Sequence, residues 1–112
     1  MHIDSYDFGE ITIDGKKYSK DVIISLSEVK SWWRIKGHEV CVEDLKLLES
    51  EDFELLVIGT GYYGAVKVLS EVEEWVKRRG AELIVLPTKE ACDLYNKESK
   101  EKKVVATLHL TC

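Results

Sequence analysis

Residues 55–69, LLVIGTGYYGAVKVL, place Gly59, Gly61 and Gly64 in the spacing G-x-G-x-x-G directly after an apolar run. In a dinucleotide-binding fold those glycines let the backbone approach a pyrophosphate, and a helix opening inside the motif turns its free N–H groups toward the charge. Here the upstream strand is present, but the next helix starts only at Ser70, after the β-favouring AVKV. Glu82, at about the distance of a ribose-binding acid, falls at the start of its strand rather than its end. Too little chain follows Gly59 to complete a six-stranded binding fold, and no G-K-[ST] follows to make a P-loop. The glycines are better read as a tight bend with close backbone approach. Such a loop at a strand's carboxyl end still offers amides to a small carboxylate, phosphate or sulfate. Gly59, Thr60 and Gly61 are its candidate donors, Tyr62 or Tyr63 its wall, and Thr88 with the helix it opens a second donor group. Taken singly, each residue has a plainer reading: Thr88 caps its helix, worth about 1 kcal/mol, and Thr60 fills a bend.

Four further groups have suitable chemistry. His109 alternates with Thr107 and Thr111 on one strand face and could act as a general base near neutral pH. No serine or cysteine is identifiably paired with it, which favours a hydrogen-bonded sheet residue. Tyr95 belongs to a helix's apolar stripe, with its hydroxyl expected to reach a buried acceptor, and Asn96 is a candidate C-cap. The carboxylates at Glu43, Asp44 and 49–52 read as solvated surface. Trp32 and Trp33 are adjacent, so in a strand they point to opposite faces; one would line a pocket or an interface, unless the N-terminal layer buries both. His2, His38 and His109 assemble no ligand set, and neither a metal nor a cofactor is implied.

The elements that must position these groups are mostly legible. Asp14-Gly15 between ITI and KKY signals a hairpin, and Val22–Ile24 a further strand. The segment SEVKSWWRIKGHEV admits a helix capped by Ser27 and carrying Val29, Trp32 and Trp33, but is read as extended or irregular. Leu45 and Leu48, three apart, indicate a short helix, and FELLVIG a central strand covered on both faces. In SEVEEWVKRRG, Ser70 and Glu73 form a capping-box pair, Val72, Trp75 and Val76 a buried stripe, and Gly80 the stop. AELIVLP is a strand, and Ala91, Leu94 and Tyr95 line the inner face of the helix after it. On the last strand Val104, Ala106, Leu108 and Leu110 share one face, opposite Val105, Thr107, His109 and Thr111.

With 45% hydrophobic and 33% charged residues and one proline, the chain has the composition of a folded globular protein. A net charge of −5 without a basic stripe disfavours nucleic acid as a partner. Three scattered cysteines suit a reducing compartment: Cys41 and Cys92 as core or half-buried residues, Cys112 as an exposed terminus. No apolar run spans a bilayer and no secretory signal is visible, so a cytoplasmic location and no membrane partner are expected.

Taken in order, LLVIGTG, VLPTKEACDLYN and KKVVATLHLTC resemble the Mth938-domain family, and YDFGEITIDGKKY and HEV…EDL agree with it. The likeness covers essentially the whole chain and is most specific at Gly59-Thr60-Gly61, Thr88, Ala91, Tyr95-Asn96 and Ala106. It implies one three-layer α/β domain over residues 1–112, with a mixed central sheet, helices on one side and an additional N-terminal sheet layer. It implies no established reaction. The favoured functional reading is a non-catalytic protein-interaction or assembly module, with a protein partner or a second copy of the chain bound through Trp32 or Trp33. The alternative is a small enzyme or small-molecule/anion-binding protein using the loops at 59–64 and 87–91, with Tyr95, Asn96 and His109 in support.

Overall fold

The computed structural model describes residues Met1–Cys112. The N-terminal strands β1 (Ile3–Asp7), β2 (Glu10–Ile13) and β3 (Lys16–Tyr18) form an antiparallel sheet, with Ile13 opposite Lys16 across the expected hairpin turn. Asp14 and Gly15 both take positive φ, 49° and 80°, as a two-residue turn between twisted strands requires.

The central sheet runs β5-β4-β10-β7-β9, from β4 (Val22–Ile24), β5 (Val29–Ser31), β7 (Leu55–Thr60), β9 (Glu82–Leu86) and β10 (Val104–His109). It is mixed: β10 pairs parallel with β7 and antiparallel with β4. Every residue of β7 and β10 is buried, because both strands lie inside the sheet and both faces are covered. A small parallel pair, β6 (Glu39–Val40) with β8 (Lys67–Val68), completes the strands.

Alternation along β7 and β10 divides the core in two. Leu55, Val57, Val104, Ala106, Leu108 and Leu110 face Ile11 and Ile13 of the N-terminal sheet and Ala91, Cys92 and Tyr95 of α2 (Thr88–Glu98). Leu56, Ile58 and Val105 face Trp32, Leu45, Leu48 and Val72 and Val76 of α1 (Ser70–Arg78). The α/β class, mixed sheet and extra N-terminal layer match the sequence expectation, with one α-helix on each face of the central sheet rather than both together.

Several local devices differ from their sequence readings. Ser70 is the first helical residue and no side chain caps α1; Glu73 stays exposed, while Glu71 accepts the Val42 N–H at 2.8 Å and ties α1 to the helix before it. That helix, Val42–Leu48, is 3₁₀, which stacks Leu45 over Leu48 at i and i+3. Asp44 is buried rather than solvated, its two oxygens accepting the Ile35 and Cys41 N–H groups at 2.9 Å each. Asn96 lies inside α2 and clips the N-terminal sheet instead of ending the helix: its side chain accepts from Ile3 N–H and donates to Ile3 C=O, both at 2.8 Å. Tyr95 is core as expected, but its hydroxyl finds no acceptor within the protein; burial, then the charge of Asp14, pushes it up to about 12. Gly80 follows α1 at φ 72°, as its reading required.

Candidate functional site

At the carboxyl end of β10 the antiparallel register with β4 continues one step beyond Leu108 opposite Val22 and brings Asp21 to His109. His109 Nδ1 donates to Asp21 Oδ2 at 2.7 Å, and the Leu110 N–H donates to Asp21 Oδ1 at 2.8 Å. Arg34 closes the group: Nη1 donates to Asp21 Oδ2 at 2.6 Å and Nη2 to the Gly37 carbonyl at 2.9 Å. Its guanidinium lies over the Trp32 ring, 4.6 Å from the centroid. Trp32 is in turn fixed by its indole N–H donating to the Asp44 carbonyl at 2.9 Å and by its backbone N–H on the Asp21 carbonyl. The Arg34 side chain is 7% exposed, so this is a buried ion pair in which every partner is oriented by a second contact.

Burial alone would raise the Asp21 carboxyl; the hydrogen bonds from His109, Leu110 and Arg34 overcome it and hold the group below its ordinary range. An ionised Asp21 only accepts, so Nδ1 of His109 carries a proton toward it, and Arg34 Nη2, which only donates, stands 3.1 Å from the same nitrogen as a close approach rather than a bond. Thr111 Oγ1 lies 3.3 Å from Nε2. Asp21, Arg34, His109 and Thr111 line a cavity of about 390 Å³ together with Lys20, Ser31 and Trp33. Lys20 enters no ion pair, and the buried Arg34 Nε–H has no acceptor in the protein. The arrangement presents two cations, one ionised carboxylate and an imidazole. It can hold an anionic group.

The glycine bend lies on the other side of β10 and is a bonded seam. Gly61 N–H donates to Thr88 Oγ1 (2.8 Å), Tyr62 N–H to the Thr111 carbonyl (2.8 Å), and both Gly64 and Thr88 N–H to the Gly61 carbonyl. Thr60 Oγ1 is spent on the Leu86 carbonyl. The amides that an anion would need at Gly61, Tyr62, Gly64 and Thr88 are already used. A Cβ on Gly59 would stand 2.9 Å from Thr88 Oγ1 and 3.2 Å from its Cα, so the glycine admits the start of α2 rather than a ligand. Thr88 does not cap its helix either; its hydroxyl donates to the His109 carbonyl at 2.6 Å.

The remaining sequence candidates separate. Trp32 is core, whereas Trp33 is 76% exposed on the cavity rim. Tyr62 and Tyr63 join Phe8 in an exposed aromatic group with ring centroids 5.1–6.4 Å apart. Tyr95 and Asn96 belong to the opposite core face and do not reach the cavity. Sequence reasoning singled out His109 but missed Asp21 and Arg34. The available signal was an acid directly before the VII strand and an arginine directly after the paired tryptophans.

The model for the family of proteins of unknown function DUF498/DUF598 matches residues 3–109. Among solved structures, the conserved hypothetical protein PH1505 from Pyrococcus horikoshii OT3 is 33% identical over 100% of both chains, at a TM-score of 0.89. The protein named MT938 is 27% identical over 99% of this chain and 98% of its own, at 0.80. A Mth938-like domain protein of Bordetella pertussis shares the fold at 18% identity and a TM-score of 0.76, over 97% of this chain and 85% of its own. On the matched length and the shared architecture, this chain belongs to the Mth938-domain family, a group of unknown function.

Proposed function

We propose that this protein binds a small molecule bearing a carboxylate or phosphate in the cavity between Lys20, Ser31, Trp33 and the end of β10. The observation that carries the reading is the Arg34–Asp21–His109 network. It is satisfied on its inner side, yet it shares one cavity with Lys20, which enters no ion pair, and with His109 Nε2, whose one contact is Thr111 Oγ1 at 3.3 Å. Desolvating such charges is costly even when they are paired, and perturbed, oriented titratable groups in a cavity are candidates for a functional site. Lys20 and Arg34 outweigh Asp21, giving this wall a positive excess on a chain of net charge −5. The exposed Trp33 ring offers a stacking surface for a planar or apolar remainder.

The test is amide and indole NMR titration with acetate, succinate, inorganic phosphate and AMP. Saturable shifts at Ser31, the Trp33 indole, His109 and Thr111, reduced at least fivefold in apparent affinity by Lys20→Glu, are expected. Absence of saturable shifts at millimolar ligand would sink the proposal.

A second reading, a protein-interaction module, is favoured by the exposed aromatic group of Phe8, Tyr62 and Tyr63. It requires a macromolecular partner whose binding is lost in Tyr63→Ala but kept in Lys20→Glu. The opposite pattern favours the cavity.

A further inference from the structure

We infer that β9 is the interface through which two copies of this chain join their central sheets edge to edge. The strand is an outer edge of the five-stranded sheet and pairs with β7 alone. Glu82 N–H donates to the Glu54 carbonyl on the β7 side, so the alternation along the strand turns the N–H and C=O groups of Leu83 and Val85 outward, where no strand meets them. The opposite edge, β5, is three residues long with Lys30 at its centre, the usual protection of a free edge. By contrast, β9 reads ELIVL, with Val85 40% exposed and no charge between its ends. Alongside it, Val76, Ala81, Leu83 and Val85 floor a groove whose upper wall carries Glu73 and Lys77 of α1.

These features fit a second copy rather than an arbitrary strand, because they are self-complementary about one axis. A two-fold axis at Ile84 sets Leu83 opposite Val85 of the other copy, and both such pairs are hydrogen-bonded pairs. The helix α1 runs antiparallel to β9, so the same axis lays the two α1 helices side by side in opposite directions. Glu73 of each copy then meets Lys77 of the other. Neither residue forms an ion pair within the chain, although Glu74 and Arg78 on the same helix do pair with each other. Glu82, the one charge on β9, is carried to the two far ends of the joined strands and meets no like charge. This interface is independent of the ligand cavity, which sits at the β10–β4–β5 side of the sheet.

Sedimentation equilibrium of the full chain from micromolar to millimolar concentration, joined with hydrogen exchange, tests it. A two-chain species is expected, with the Leu83 and Val85 amides gaining protection as concentration rises. Glu73→Lys and Lys77→Glu, both at exposed sites, should each raise the dissociation constant about tenfold, and the double exchange should return it to within about threefold of the parent. Val85→Lys should abolish association while the dispersed NMR spectrum of the fold remains. A monomer at every concentration, a dimer in which Leu83 and Val85 exchange freely, or a double exchange no better than its parts would each overturn the inference.

Discussion

The hydroxyl of Thr88 donates to the backbone carbonyl of His109 at 2.6 Å, joining the first residue of α2 to the last residue of β10. The same oxygen accepts the Gly61 N–H, so one fully buried threonine ties the glycine bend, the helix and the strand that presents the imidazole. Thr88→Val preserves shape while leaving a buried donor and a buried acceptor without partners. We expect a loss of about 2–4 kcal/mol in urea unfolding, together with broadened His109 resonances. A loss below about 0.5 kcal/mol would mean that water replaces the hydroxyl and that the seam is not what fixes His109.

The glycines sort by what surrounds them. Gly61 (φ 108°) and Gly80 (φ 72°) both need left-handed backbone, yet a Cβ on Gly80 meets nothing, whereas one on Gly61 comes within 2.7 Å of the Thr111 carbonyl oxygen and 3.0 Å of His109 Cδ2. Gly80→Ala should therefore cost only the backbone strain, about 1 kcal/mol. Gly61→Ala adds a collision with fixed backbone and should cost about 3 kcal/mol. Equal losses for the two, measured by thermal unfolding, would contradict the close approach that explains the motif.

Period-two alternation on β10 was legible because burial on both faces writes the strand's sidedness into consecutive residues. It correctly put His109 opposite Leu108 and Leu110. The partners of His109 were not legible. Asp21 and Arg34 lie 88 and 75 positions away, and only the register of β4 on β10 and the buried indole of Trp32 bring them in. Nearby residues misled for the opposite reason. Thr88 and Ser70 carry strong local capping signals, but tertiary partners took the Thr88 hydroxyl and no side chain caps α1. Asn96 likewise looks like a helix terminator until Ile3, far off in sequence, supplies both a donor and an acceptor.

The cysteines should differ sharply in reactivity. Cys112 is exposed, Cys41 is half-buried with its thiol raised by burial, and Cys92 is pushed up to about 12 by burial and then by Asp93. The thiolate is the reactive form. With DTNB at neutral pH, Cys112 should react first and Cys41 more slowly. Cys92 should react only at the rate at which the protein opens, and urea should accelerate it selectively. Native modification of Cys92 on the timescale of Cys112 would show that the core beneath α2 opens independently.

Asp21 gives the protein an acid-sensitive contribution to stability. Its carboxyl is held below the ordinary value of 3.8, so the unfolded chain takes up the proton first as the solution is acidified. The contribution is therefore complete above about pH 4 and drains away as the pH falls through the lower folded value. Asp21→Asn deletes the titration and leaves the Arg34 guanidinium, 7% exposed, without its counter-charge. At pH 7 that should cost about 3 kcal/mol. The gap between the two proteins should then narrow as the pH drops below about 4, because the parent loses what the variant never had. Urea midpoints across that range measure it, and nitrogen-15 shifts of the His109 ring report whether Nδ1 keeps its proton. A gap that stayed constant into strong acid would mean that Asp21 stabilises by packing alone. The imidazole would then owe its orientation to Thr111 rather than to the carboxylate.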